Sequence, residues 1–188
     1  HYIEWNSKQF DNLIYASARE ITDKKQSEKQ LKCNDKILTS VAYSIKELLD
    51  NRNYYSAISN CFKLIGEATM VDRVYLFENT YDEKGNGYCS NTIEWTYENI
   101  EPQIGNSELQ NLPFEEIEYF IEPLAKKESF YKVISKVEDN RIKELMDMQN
   151  ILSLVVLPVF SGETFWGFIG FDECKYERQW TESEFSTL

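Results

Sequence analysis

Residues 151–174, "ILSLVVLPVFSGETFWGFIGFDEC", decide the fold. Two nearly unbroken apolar runs flank Ser161-Gly162-Glu163, a cluster of turn formers, so the segment reads as two antiparallel strands and a tight connection. A strand with one wet face alternates apolar and polar residues. These two do not, and each is expected to be central in a sheet and covered on both faces. Gly167 and Gly170 mark either a bend or a close approach of another group to the backbone. The second run then breaks into Asp172, Glu173 and Cys174.

Outward from this hairpin the chain alternates between helix and strand patterns. "RVYLFEN" (73–79) is a short strand, "TYDEKGNG" (80–87) has turn chemistry, and "YCSNTIEWTYENI" (88–100) is the second arm of a hairpin. Glu101 to Pro113 is a long polar connection, and connections of that length in a compact domain often carry function. "FEEIEYFIEPLAKKES" (114–129) is expected to be helical with Phe114, Ile117, Phe120 and Ile121 inward, kinked or ended by Pro123. "FYKVIS" (130–135) is a strand, and "NRIKELMDMQN" (140–150) a helix through Ile142, Leu145, Met146 and Gln149. "WTESEFSTL" (180–188) opens a last helix at Thr181, where Glu184 completes a capping box.

Upstream, "YYSAISNCFKLIGEA" (54–68) has helical spacing through Tyr55, Ile58, Phe62 and Ile65 and is expected to end near Gly66. Asn51 to Asn53 separates it from "SEKQLKCNDKILTSVAYSIKELL" (27–49), in which Leu31, Leu38 and Ile45 recur every seven residues. Asn34, Val41 and Leu48 fill the other seam position, an a/d heptad with one polar layer that fits a dimer-forming helix. Ile37, Ala42 and Leu49 widen the stripe, so packing on its own domain or within a bundle remains the alternative. Tyr2 to Trp5 and Leu13 to Ala18 flank Asp11-Asn12 and read as a hairpin, which alone buries little and needs a larger sheet. No long parallel crossover separates the later strands. The class is therefore α+β, with an antiparallel sheet between helices on one side and loops with short helices on the other.

The whole-chain totals narrow the function. A chain of 188 residues suits one domain with a helical extension, and 42% hydrophobic content supplies a core. A net charge of −12 repels phosphate backbones and anionic lipid, so neither nucleic acid nor a membrane surface is an expected partner. No apolar run reaches the length of a membrane span and no signal-peptide layout opens the chain, which points to the cytoplasm. Cys33, Cys61, Cys89 and Cys174 are scattered without a CxxC pair, as for reduced thiols rather than a disulfide frame or zinc site.

Several phrases resemble the GAF family of sensor domains: "VDRVYLFEN", "IEWTYENIEPQIGNSELQNLPF", "ILSLVVLPVF" with "FWGFIGFDEC", and "RQWTESE". The paired "EW…EPQIGNSELQNLPF" and "FWGFIGFDE" are similar to the branch found in multidomain sensor histidine kinases. "YIEWNSKQFDNLIYASAREITDKKQSEKQL" looks like the closing strands and exit helix of a PAS domain. The resemblance implies a PAS remnant at 1–22, a signalling helix at 23–52 and a GAF domain at 53–188, together a piece of a larger two-component sensor. It implies a six-stranded antiparallel sheet, a homodimer through the helices, and a kinase or other output domain elsewhere in the polypeptide. On that likeness Tyr75, Phe77, Trp95, Leu154, Val156, Phe168 and Asp172 surround a ligand cavity, and strand alternation puts Trp166, Phe168, Gly170 and Asp172 on one face.

The residues argue against several relatives' chemistries. His1 is the only histidine, which removes Ser/His and Cys/His nucleophile pairs and His-based metal sites. Haem- and bilin-binding relatives rely on His or Cys-His near the pigment. Cyclic-nucleotide binders carry an Asn-Lys, then Phe, three residues, Asp-Glu signature, where Asp172-Glu173, Trp180 and Glu184-Phe185 stand here. Carboxylates in place of the lysine disfavour a phosphate ligand. Asp172 and Glu173 offer general acid/base chemistry at an apolar strand end or, equally, pairing with Arg178 or Lys175. A methionine sulfoxide reductase of this fold needs grouped cysteines. No cofactor, metal or catalytic group is expected, and an unidentified small molecule is the remaining ligand.

Overall fold

A computed structural model describes residues 1–50 and 54–180; its described side chains leave out Gln30, Cys33, Asn34, Ile37, Ser40, Val41 and residues 44–50. The two apolar runs form β7 (Ser153–Ser161) and β8 (Thr164–Glu173), antiparallel across a turn in which Gly162 takes φ +61°. Both are interior. On its other edge β8 pairs with β3 (Arg73–Tyr81), which pairs in turn with β4 (Gly87–Thr96). At one end β4 takes the two-residue β5 (Leu112–Pro113), and at the other β7 takes β6 (Phe130–Val133). The result is a six-stranded antiparallel sheet of order β5-β4-β3-β8-β7-β6.

Each face of the sheet has its own core. Helix α2 (Tyr54–Thr69) covers one face, with Phe62 against Val74, Leu76, Ile93, Val155 and Phe171. It runs past Gly66, the expected end, because that glycine is where the Trp95 ring lies against the helix; Met70, at φ +58°, terminates it instead. Over the other face lie 3-10 turns at Ser107–Leu109, Phe114–Ile117 and Ile134–Lys136, with the short helices α3 (Glu118–Ala125) and α4 (Asn140–Asp147). The helix expected over 114–129 is therefore split. Its first turn is 3-10, and α3 continues only two residues beyond Pro123. Asp139 caps α4 by accepting from the amides of Arg141 and Ile142.

Among the described residues the N-terminal hairpin, β1 (Ile3–Phe10) and β2 (Leu13–Glu20), pairs only with itself and is exposed along its whole length, Trp5, Phe10 and Ile14 included. Helix α1 (Thr22–Asp50) follows and lies against α2. Of the heptad positions, Leu31 and Leu38 are exposed in the single chain, while the side chains of Asn34, Val41, Ile45 and Leu48 lie outside the described set. The helix break at 51–53 and the last helix from Thr181 also lie outside the described residues. Among the described residues no helix is long and apolar enough to cross a membrane.

Candidate functional site

Two β-bulges decide which side chains meet beneath α3 and α4. In β8, Gly167 pairs with Val159 and Phe165 with Phe160, so Trp166 is an extra residue. Side-chain parity flips there. Phe165 and Phe168 both join the core beneath α3 and α4, and Trp166 turns to the α2 face. The shared face expected for Trp166, Phe168, Gly170 and Asp172 thus holds from Phe168 onward and excludes Trp166. In β4, Leu76 faces Ile93 and Phe77 faces Asn91, which leaves Thr92 as the extra residue. Asn91 and Glu94 consequently both face the same side as Tyr75 and Phe77, and Trp95 packs on the α2 face against Gly66.

The side chains brought together line a cavity. Its walls are apolar: Phe77 and Phe168 stack with ring centroids 4.9 Å apart and planes 8° from parallel, and Leu154, Val156, Ile117, Phe120 and Met146 complete them. Its end is polar, lined by Arg73, Tyr75, Asn91, Glu94, Gln103 and Gln149. The cavity has a volume of about 50 Å³, room for roughly four waters at ~10–15 Å³ each.

Arg73 organises the polar end. Its guanidinium is 2% exposed; Nη1 donates to Asp172 Oδ2 at 3.4 Å, and Nη2 donates to the carbonyls of Gln149 at 3.2 Å and Glu101 at 3.5 Å. Tyr75 Oη donates to Asp172 Oδ1 at 3.1 Å. Glu94 Oε1 lies 3.7 Å from Arg73 Nε, and the Glu94 carboxylate accepts from the amides of Gln103 and Ile104 at 2.8 and 2.9 Å. Those two bonds hold the long connection after β4 across the end of the cavity. Arg73 Nε and Asn91 Oδ1 are buried without a hydrogen-bond partner.

Burial sets the protonation of this end. It pushes the Asp172 carboxyl up to about 7, against the pull of Arg73 and the Tyr75 hydrogen bond and with help from the neighbouring Glu94 and Glu173. Glu94 is raised for the same first cause, opposed by the Ile104 amide, Arg73 and the Gln103 amide. The Tyr75 phenol lies well above its ordinary value through burial and then Asp172. Arg73 Nη2 also donates to Cys174 Sγ at 3.7 Å, and burial pushes the Cys89 and Cys174 thiols up to about 12, which holds both as thiols rather than thiolates.

Adjacent side chains serve the opposite purpose. Asp72 accepts from the amides of Cys174 and Lys175 and pairs with Lys175 Nζ at 2.9 Å. Glu173 pairs with Arg178 at 2.8 Å, and the same Arg178 Nη1 donates to Thr69 O, the end of α2, at 2.9 Å. Asp172 and Glu173 thus point to different partners on different sides of the sheet.

Of the seven residues expected around a cavity, Tyr75, Phe77, Leu154, Val156 and Phe168 line it, and Asp172 lies just behind, bonded to two that do. Trp95 does not, because of the Thr92 bulge. Sequence reading missed Arg73, Asn91, Glu94, Gln103 and Gln149. A signal existed for Arg73, a lone cation opening an apolar strand; for Asn91 and Glu94 the bulge removed any.

Over 177 residues the chain is 35% identical to the methanogenesis regulatory histidine kinase FilI of Methanothrix harundinacea, a match that takes in 93% of this chain but spans only 20% of that protein. The phycocyanobilin-bound GAF domain of a cyanobacterial phytochrome superposes with a TM-score of 0.64, covering 80% of this chain and 86% of that one at 18% identity. The chromophore-binding domain of Stigmatella aurantiaca bacteriophytochrome gives 0.60, covering 98% of this chain and 65% of that one at 11% identity. No family model matches the sequence. The six-stranded sheet with its flanking helices is the GAF fold.

Proposed function

We propose that this chain is a sensory and regulatory module of a larger signal-transduction protein, a cytoplasmic sensor histidine kinase, and that it admits a small molecule to the cavity behind Arg73. The observation that carries the reading is the cavity itself: aromatic and aliphatic walls closed at one end by buried, oriented polar groups, the usual construction of a small-molecule site. The relationship to one-fifth of a histidine kinase supplies the context. Kinase chemistry is assigned to parts of the polypeptide outside this chain. Haem, bilin and cyclic nucleotide are not the proposed ligands, since among the described residues lining the cavity there is neither Cys nor His and the one cation, Arg73, already faces two carboxyl groups. A ligand that binds only the folded chain raises its apparent stability. A thermal-shift screen over a broad metabolite panel is therefore expected to yield stabilising compounds, and silence across it would leave a relay that takes no ligand.

The relay runs through the helices. Leu31 and Leu38, seven residues apart and exposed on α1, offer an apolar seam to a second copy. Light scattering is expected to find a dimer that Leu31→Glu with Leu38→Glu dissociates; a wild-type monomer at high concentration removes the dimeric relay. The exposed hairpin 1–22 is read as the closing strands of a PAS domain, α1 as the signalling helix of 23–52, and 53–188 as the GAF domain. Amide exchange tests the first of these: β1 and β2 are expected to be protected in the longer protein and unprotected in residues 1–188.

A further inference from the structure

We propose that the cavity selects a compact neutral molecule carrying a hydrogen-bond donor and an acceptor on one planar group, a primary amide or its isostere, on a branched apolar body. The inference rests on the ligand-binding reading above and names the class of ligand. Three observations carry it.

The first is the pair of buried polar atoms without partners. Arg73 is 2% and Asn91 4% exposed, both line the cavity, and Arg73 Nε and Asn91 Oδ1 have no hydrogen bond. One is a donor and the other an acceptor, so the complementary ligand offers an acceptor and a donor. Both flank one carboxylate: Arg73 Nε lies 3.7 Å from Glu94 Oε1, and the Asn91 side chain hydrogen-bonds Glu94. A single planar head placed beside Glu94 would meet both, and would recover what two unmet buried polar groups otherwise cost.

The second is charge. The Arg73 guanidinium already faces Asp172 at 3.4 Å and Glu94 at 3.7 Å. A ligand carboxylate would be a third carboxyl group competing for one cation, and a ligand ammonium would sit beside the guanidinium. A neutral head avoids both penalties.

The third is size. Space for roughly four waters, at ~30 Å³ of liquid volume each, matches a branched molecule of about six bonded non-hydrogen atoms. Its body would lie on the stacked Phe77 and Phe168 rings and against Leu154, Val156 and Met146.

Isobutyramide, 3-methyl-2-butanone and isobutyrate share one shape and differ in the head: donor plus acceptor, acceptor alone, and anion. Titrated into the full chain by ligand-observed NMR, the amide is expected to bind roughly tenfold more tightly than either analogue, the effect of one well-made buried hydrogen bond or of charge exclusion. Asn91→Leu is expected to abolish the preference of amide over ketone while the ketone still binds. The wild-type ranking needs no variant. Equal binding of the three, or tightest binding of isobutyrate, overturns the ligand class and leaves the cavity a receptor site. Binding by none of them also overturns the class, and the metabolite panel then judges the receptor reading separately.

Discussion

Gly170 is the seat of the Tyr75 ring: the two pair across β3 and β8, and a Cβ added at Gly170 would overlap the ring and its hydroxyl. This is the close approach that a glycine inside an apolar strand foretells. Gly170→Ala is expected to push Tyr75 away from Asp172 and to cost roughly 1–3 kcal/mol of overpacking. Gly105→Ala, where a Cβ meets nothing, is expected to change stability by less than about 0.5 kcal/mol. Urea unfolding of the two variants checks the contrast, and equal effects would refute the seat.

Asp172 makes stability depend on pH in a definite direction. Its carboxyl titrates near 7 in the fold against an ordinary value of 3.8, so between those limits the folded chain holds a proton that the unfolded chain has lost. The stabilisation is complete below about pH 4 and disappears as pH rises through about 7. The raised Glu94 and Glu173 carboxyls act in the same sense. The melting temperature is expected to fall from about pH 5 to about pH 8, and Asp172→Asn to flatten much of that slope. A wild-type profile that rises with pH over this range contradicts the assignment.

Glu94 pins the connection that closes the polar end, through the amides of Gln103 and Ile104. Replacing it by Gln removes the charge that strengthens both bonds, worth roughly 1–2 kcal/mol together. Limited proteolysis within 98–106 is expected to accelerate several-fold in Glu94→Gln while cleavage in the turn at 82–86 stays constant. Unchanged cleavage at 98–106 would mean that the loop is held by other contacts, such as the bonds of Gln110 to the Asn91 and Ile104 carbonyls.

The sheet was legible because its central strands are apolar on both faces and its turns use Gly, Asn and Asp; β7 and β8 could scarcely be anything else. The walls of the cavity followed from parity where parity was unbroken, as for Tyr75 with Phe77 and Leu154 with Val156. It failed at Trp166 and Trp95, each across one extra residue, because a bulge is fixed by pairing with a neighbouring strand and leaves little trace in its own. The polar end was illegible for a related reason. Arg73, Asn91, Glu94, Gln103 and Gln149 come from separate elements, and only the folded sheet with its overlying loops gathers them.

Arg178 joins the ends of β8 and α2 to the chain that follows the sheet. One guanidinium bonds Glu173 at the end of β8 and Thr69 O at the end of α2, and stacks 3.9 Å over Trp180, whose amide donates to Tyr131 Oη. Glu173 is fully buried, so removing its cation leaves an unpaired carboxylate, typically a loss of roughly 3–5 kcal/mol. Arg178→Met is expected to lose about that much near pH 8 and less at acid pH, where Glu173, already raised, takes up a proton. Adding Glu173→Gln is expected to restore part of the loss, giving a coupling of about 1–3 kcal/mol in a double-mutant cycle. Amide exchange at Trp180 reads the mechanical consequence: faster exchange in Arg178→Met shows that this contact anchors the segment after β8, and unchanged exchange assigns the anchor to the bonds that remain, those of Tyr131 Oη and of the Arg178 amide to Ser153 Oγ.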